Sequence, residues 1–127
     1  MPPMPSDGFP ALLKISFKPY ENNPVFKAGD SLAWDRKIRE RGFILHESDT
    51  YKMWYTGYSS KDDNGVKSLG YATSRDGIHW TRYPHNPIFN GKWTEDMMVL
   101  KDSGIYYMYA EGKNDIAHYL TSTDGIR

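Results

Sequence analysis

One block of sequence recurs along this chain, in order and with shrinking spacers. "NPVF" at Asn23–Phe26 returns as "NPIF" at Asn86–Phe89, and "YKMWYTG" at Tyr51–Gly57 returns as "YYMYAEG" at Tyr106–Gly112. "GYATSRDGIHW" at Gly70–Trp80 returns as "HYLTSTDGIR" at His118–Arg127, ending one residue short of the position that matches Trp80. The offsets are 63, 55 and 48 residues, so the strand-forming segments match while the loops between them shorten. A repeat of roughly 50 residues, rich in strand formers, is the signature of β-propeller blades, small sheets that bury their faces only against neighbours.

The local pattern agrees. Apolar and aromatic runs bounded by turn residues predict strands at Leu12–Phe17, Phe43–Glu47, Tyr51–Ser59, Lys67–Ser74, His79–Tyr83, Met97–Lys101, Ile105–Glu111 and Ile116–Ser122. Asn64-Gly65, the "SRDG" at Ser74–Gly77 and the "DSG" at Asp102–Gly104 supply turns. The one helix-like stretch, "DRKIRERG" at Asp35–Gly42, is too short and polar to stand alone. The expected class is all-β, with two four-stranded blades' worth of chain.

The phase of the repeat carries a further expectation. "ISFKPYENNPVF" aligns on "IHWTRYPHNPIF", placing Phe17 on Trp80 and Tyr20 on Tyr83. Leu12–Phe17 therefore corresponds to a blade's fourth strand, the one the second unit lacks. The expected organisation is a flexible segment over residues 1–11, blade one over about 23–83, and blade two over about 86–127. Strand 12–17 of a neighbouring subunit would complete blade two, since a bare third strand is an aggregation-prone edge. That implies a homo-oligomer closed by strand exchange, with a trimer of six blades preferred.

Composition narrows the function classes. Sixteen basic and sixteen acidic residues cancel, which removes the electrostatic drive towards nucleic acid or an anionic membrane. Cysteine is absent, so no disulfide or thiolate site exists, and no His pair has metal-ligand spacing; neither metal nor cofactor is expected. "MPPMPSDGFP" shows no signal peptide and no run approaches a membrane span, so the expected location is cytoplasmic. Aromatics reach 15%, enough for a β core with a few rings left over for stacking on sugars.

"S-x-D-G-x-x-W" at Ser74–Trp80, following "YKMWYTG", resembles the blade repeat of the five-bladed β-propeller glycosidases of glycoside hydrolase families 43 and 32. "WTEDMMVLKDSGIYYMYAEG" at Trp93–Gly112 is similar to the family 43 segment that carries the general acid, which the resemblance places at Glu95. "RERGFIL" at Arg39–Leu45 stands where the family has Arg-Asp-Pro, so the resemblance places the base at Glu40, one methylene longer, with Asp35 after Trp34 as a second candidate. The resemblance covers about half of such a propeller, and the family spreads three carboxylates over three blades. It implies a glycoside hydrolase acting on a carbohydrate. The alternatives are a sugar-binding propeller without turnover and an inactive fragment of a longer glycosidase.

Glycoside cleavage needs one carboxyl kept protonated and another kept ionised. The offset of 55 sets Glu40 on Glu95 and Arg41 on Asp96. Arg39 or Arg41 would then hold Glu40 ionised, while Asp96 would raise Glu95. Trp34, Trp54 and Trp93 are candidate sugar platforms. Glu111 and His118 break the repeat, standing where the first unit has Thr56 and Gly70, and join Arg39 and Arg41 as candidate substrate contacts. Asp76 and Asp124 are expected to fix turns rather than catalyse.

Overall fold

The computed structural model describes residues 16–39, 41–61, 65–90 and 92–127. These form antiparallel strands and no helix: β1 Lys37–Ile38, β2 Phe43–Glu47, β3 Thr50–Tyr58, β4 Ser68–Ser74, β5 Trp80–Arg82, β6 Glu95–Asp102, β7 Ile105–Gly112 and β8 Ile116–Ser122. β1 and β2 occupy successive stretches of one edge of β3, with Ile38 opposite Gly57 and Phe43 opposite Trp54. β4 and β5 continue the sheet on the other side of β3. β6, β7 and β8 form a second, three-stranded meander.

Turn chemistry sets these registers. Ser48 and Asp49 both take positive φ, as do Ser103 and Gly104, which gives each first hairpin the tight two-residue turn that matches strand twist. The "S-x-D-G" turns are built alike. Asp76 Oδ1 accepts the Ile78 and His79 amides at 2.8 Å, and Asp124 Oδ1 accepts those of Ile126 and Arg127 at 2.8 Å. Ser74 and Ser122 Oγ receive the amides of Gly77 and Gly125. These aspartates are turn residues, as their sequence context implies.

The stretch tempting as a helix contains turns and the short β1 instead. Of the expected first strand, Leu12–Phe17, residues 12–15 lie outside the described residues; Ser16 and Phe17 belong to no strand, and the Phe17 ring is exposed. Among the described residues, β8 pairs with β7 alone.

The sheets stack through one apolar layer. Trp54, Leu69 and Tyr71 of the first sheet meet Met97, Val99, Tyr106, Met108 and Ala110 of the second. The Trp54 indole is 1% exposed and donates its N–H to the Gly125 carbonyl at 2.8 Å, tying the first sheet to the turn after β8. A smaller layer, Met53, Tyr55 and Ala72, covers the far face of the first sheet beneath Phe26, Trp34 and Trp80.

An ionic cluster crosses the same interface at the β2–β3 turn. Glu47 accepts from Lys52 Nζ, from the Tyr106 hydroxyl and, at 3.0 Å, from Lys101 Nζ. Hydrogen bonds from Lys52 and then Tyr106 hold the Glu47 carboxyl down at about 2, against an ordinary 4.5.

Two outcomes follow from this packing. Trp54→Ala removes the largest buried side chain and should cost about 3–5 kcal/mol in denaturant unfolding. Because the folded Glu47 is the stronger acid, its stabilisation is complete above pH 4.5 and is lost as pH falls towards 2. Glu47→Gln should therefore be less stable at neutral pH and lose less stability across that acid window, as measured by urea unfolding at each pH.

Candidate functional site

The end of β7, the start of β6 and the segment between β1 and β2 bring charges of both signs together. Glu95 opens β6 and stands opposite Glu111 of β7 in the strand register. The register then slips between Glu95 and Met98, and Asp96 takes φ 47 within this bulge. Bulges re-aim side chains at the ends of strands, and here three carboxylates, Glu95, Asp96 and Glu111, converge.

Their surroundings differ. Glu95 Oε1 accepts the Trp93 indole N–H at 2.7 Å. Its Oε2 lies 3.0 Å from Arg39 Nε, an ion-pair contact without the alignment of a hydrogen bond. Asp96 Oδ2 lies 3.3 Å from Arg41, a more exposed pair worth little by itself. Glu111 is raised above the ordinary carboxylate range, by desolvation first and then by the negative charges of Asp96 and Glu95.

The site is backed by a stack of cations and rings. Lys67 is fully buried, with Nζ 4.1 Å from the Tyr58 ring centre and 4.3 Å from that of Trp93, and it donates to the Gly65 carbonyl. Arg39 lies over the same Tyr58 ring at 5.5 Å. Beside Trp93 an open groove of about 350 Å³ is lined also by Lys92, Lys113, Ile116 and His118. A separate apolar cleft of about 320 Å³ between Leu69, Phe89, Leu120 and Ile126 has no carboxylate in its lining and belongs to the packing between the sheets.

Several sequence expectations change here. Glu40 lies outside the described residues, so the proposed Glu40–Glu95 pair has no described geometry. Arg39 and Arg41, expected beside Glu40, reach across the interface to Glu95 and Asp96, because the segment between β1 and β2 runs past the head of β6. Glu111 is the carboxyl whose ionisation is disfavoured, by desolvation and then by the charges of Asp96 and Glu95. Glu111 and His118 were legible as breaks in the repeat. Lys67 was not, because a lone Lys before a strand carries no signal of burial.

Trp54 offers no platform, because its rings are core. Trp34 is half-buried, its indole lying so close over Gly57 and Gly70 that a Cβ at either would come within 2.6 or 2.9 Å of it. In the second sheet His118 lies over Gly112 in the corresponding place, leaving Trp93 half-exposed at the groove.

Asp35 is 1% exposed and accepts from Tyr55 Oη at 2.9 Å and Arg82 Nε at 2.8 Å. It anchors the loop before β1 to the first sheet, with no path to a ligand among the described residues. Groups of three or more His, Cys, Asp or Glu with metal-binding geometry are absent among the described residues. No described helix is long and apolar enough to cross a membrane.

No protein-family model matches the chain. It is 29% identical over 93 residues to uncharacterized proteins from two strains of Mycobacterium tuberculosis, covering 66% of this chain and 31% of each relative. Over 110 residues it is 26% identical to a 1,2-beta-oligomannan phosphorylase of a Thermoanaerobacter species, covering 80% of this chain and 37% of that protein. The chain thus spans about a third of the length of the curated relatives it matches.

Asp35→Ala would leave the buried Tyr55 hydroxyl without its acceptor and the partly exposed Arg82 guanidinium without its carboxylate. It should cost about 1–3 kcal/mol in equilibrium unfolding, and Asp35→Asn should recover part of that loss.

Proposed function

We propose that the two sheets are successive propeller blades of a carbohydrate-active protein that cleaves glycosidic bonds at the head of β6. One observation carries this reading. Glu95 and Glu111 are cross-strand partners with opposite surroundings, one engaged by Arg39 and the Trp93 N–H, the other raised by burial and two acidic neighbours. Divergent environments for paired carboxyls are what acid/base cleavage of a glycosidic bond requires.

In this scheme Glu111 donates its proton to the leaving glycosidic oxygen. Glu95, fixed by the indole and guanidinium, faces the positive charge that develops on the sugar ring and, where water attacks, takes the proton that the water gives up. Trp93 and the groove beside it bind the sugar, with Arg39, Arg41 and His118 supplying polar contacts. The roles assigned from the sequence are thereby exchanged, with Glu111 as acid in place of Glu95.

The likeness to a protein named as an oligomannan phosphorylase makes mannose-containing oligosaccharides the first substrates to try. The attacking group is water in a hydrolase and inorganic phosphate in a phosphorylase, and the Lys92 and Lys113 that line the groove suit either. Sugar binding without turnover is the second reading, supported by the half-exposed Trp93.

The test is release of sugar or sugar phosphate from β-1,2-linked manno-oligosaccharides, with and without phosphate. Glu111→Gln should lower turnover by about 10²–10⁴-fold while binding persists. Binding without turnover in the unaltered chain would leave the lectin reading, and absence of both would sink the carbohydrate assignment. Removing the Asp96 charge eases ionisation of Glu111, so Asp96→Asn should move the alkaline limb of the pH–rate profile to lower pH.

A further inference from the structure

Lys67 is a buried charge that the proposed chemistry leaves unused, and it lies two contacts from the Glu95 carboxylate. The residue is fully buried at the lead into β4, one position before Ser68. Its ammonium lies 4.1 Å from the centre of the Tyr58 ring, at the end of β3, and 4.3 Å from that of Trp93. The Trp93 indole in turn donates to Glu95 Oε1 at 2.7 Å. One side chain therefore joins the first sheet to the indole that holds the carboxylate.

The backbone fixes the rest of this segment. Thr94 is fully buried, its N–H donating to the Lys67 carbonyl at 3.0 Å and its carbonyl accepting the Thr56 hydroxyl at 3.0 Å. Those bonds set where the chain runs. They leave the rotation of the Trp93 side chain undetermined, and that rotation decides whether the indole N–H meets Glu95. A cation is held over the face of an aromatic ring, so Lys67, with Tyr58 on its other side, supplies that constraint. Arg39 lies over the same Tyr58 ring at 5.5 Å and pairs with Glu95 Oε2. Tyr58 is thus shared by two cations that reach the carboxylate, one directly and one through the indole.

Sheet architecture does not ask for this arrangement. At the repeat offsets the second unit has Asp115 in the place of Lys67 and Lys113 in that of Tyr58, both exposed. Desolvating an ammonium is costly, and the second sheet forms its meander with no buried charge at that position. Because Lys67 is closed to solvent, the ring face it covers is shut to a ligand. The groove lined by Lys92, Lys113, Ile116 and His118 meets the remainder of the indole.

We infer that Lys67 is a positioning residue for the carboxylate site: its ammonium, seated between the Tyr58 and Trp93 rings, sets the indole orientation that holds Glu95 and shapes the groove. The consequence for sugar rests on the carbohydrate reading above, while the linkage from Lys67 through Trp93 to Glu95 rests on the distances alone.

Lys67→Met removes the charge and keeps the backbone bond to Thr94; Lys67→Arg keeps a cation that stacks on rings. The probe is the Trp93 indole N–H resonance in a nitrogen–proton correlation spectrum, assigned by its loss in Trp93→Phe and recorded without sugar. Lys67→Met should speed its exchange with water about tenfold, and Lys67→Arg should restore most of the protection. With β-1,2-linked manno-oligosaccharides, Lys67→Met should raise Kd about tenfold, again recovered by Lys67→Arg. Lys67→Gln serves the same purpose if the Met chain does not fold. Unchanged indole exchange in a folded, uncharged variant would overturn the inference. Equal exchange in the Met and Arg chains would assign the effect to packing and overturn it too, as would loss of cooperative unfolding in both uncharged variants. An indole that depends on Lys67 in a chain that binds no manno-oligosaccharide would retain the positioning role while the carbohydrate reading fails.

Discussion

The apolar layer around Trp54 is the interaction on which the remaining architecture depends. The second sheet has three strands among the described residues, and a small β-sheet gains stability chiefly by burying a face. Trp54 fills the centre of the shared layer, and its N–H reaches the turn that ends β8. The Glu47 cluster closes the same interface at one end, while the Thr56 hydroxyl donates to the Thr94 carbonyl at the other. That second contact fixes the approach to β6 and so the position of Glu95.

The candidate site is a by-product of that stacking. Arg39 and Arg41 leave the first sheet where the second begins, so their charges fall on carboxylates of a different sheet. The bulge at Asp96 turns successive acidic residues into one cluster instead of opposite faces of a strand. Desolvation and the charges of Asp96 and Glu95 disfavour ionisation of Glu111 in that cluster. The repeat departs from its own pattern at two of the residues proposed for the site, Glu111 and His118.

Strand positions were largely legible because alternation and turn residues act locally. β2 and β8 have the limits that their sequences imply, and the "S-x-D-G" turns form the hydrogen bonds that Ser and Asp favour there. Trp54 shows the limit of such reasoning. An aromatic in a strand looks the same whether it faces a sugar or another sheet. Asp35 shows it again, since its burial depends on Arg82 and Tyr55, which are remote in sequence and supply the charge and the hydroxyl.

The sequence by itself determined the all-β class, the order of the strands and the duplicated unit, because strand alternation and turn chemistry are written over a few neighbouring residues. Its repeat breaks also marked Glu111 and His118. Only the tertiary structure decided which charges meet. Pairing between Arg39 and Glu95, burial of Lys67 between two rings, and the raised carboxyl of Glu111 all arise where one sheet lies on another, and the distance between those residues along the chain carries no trace of it.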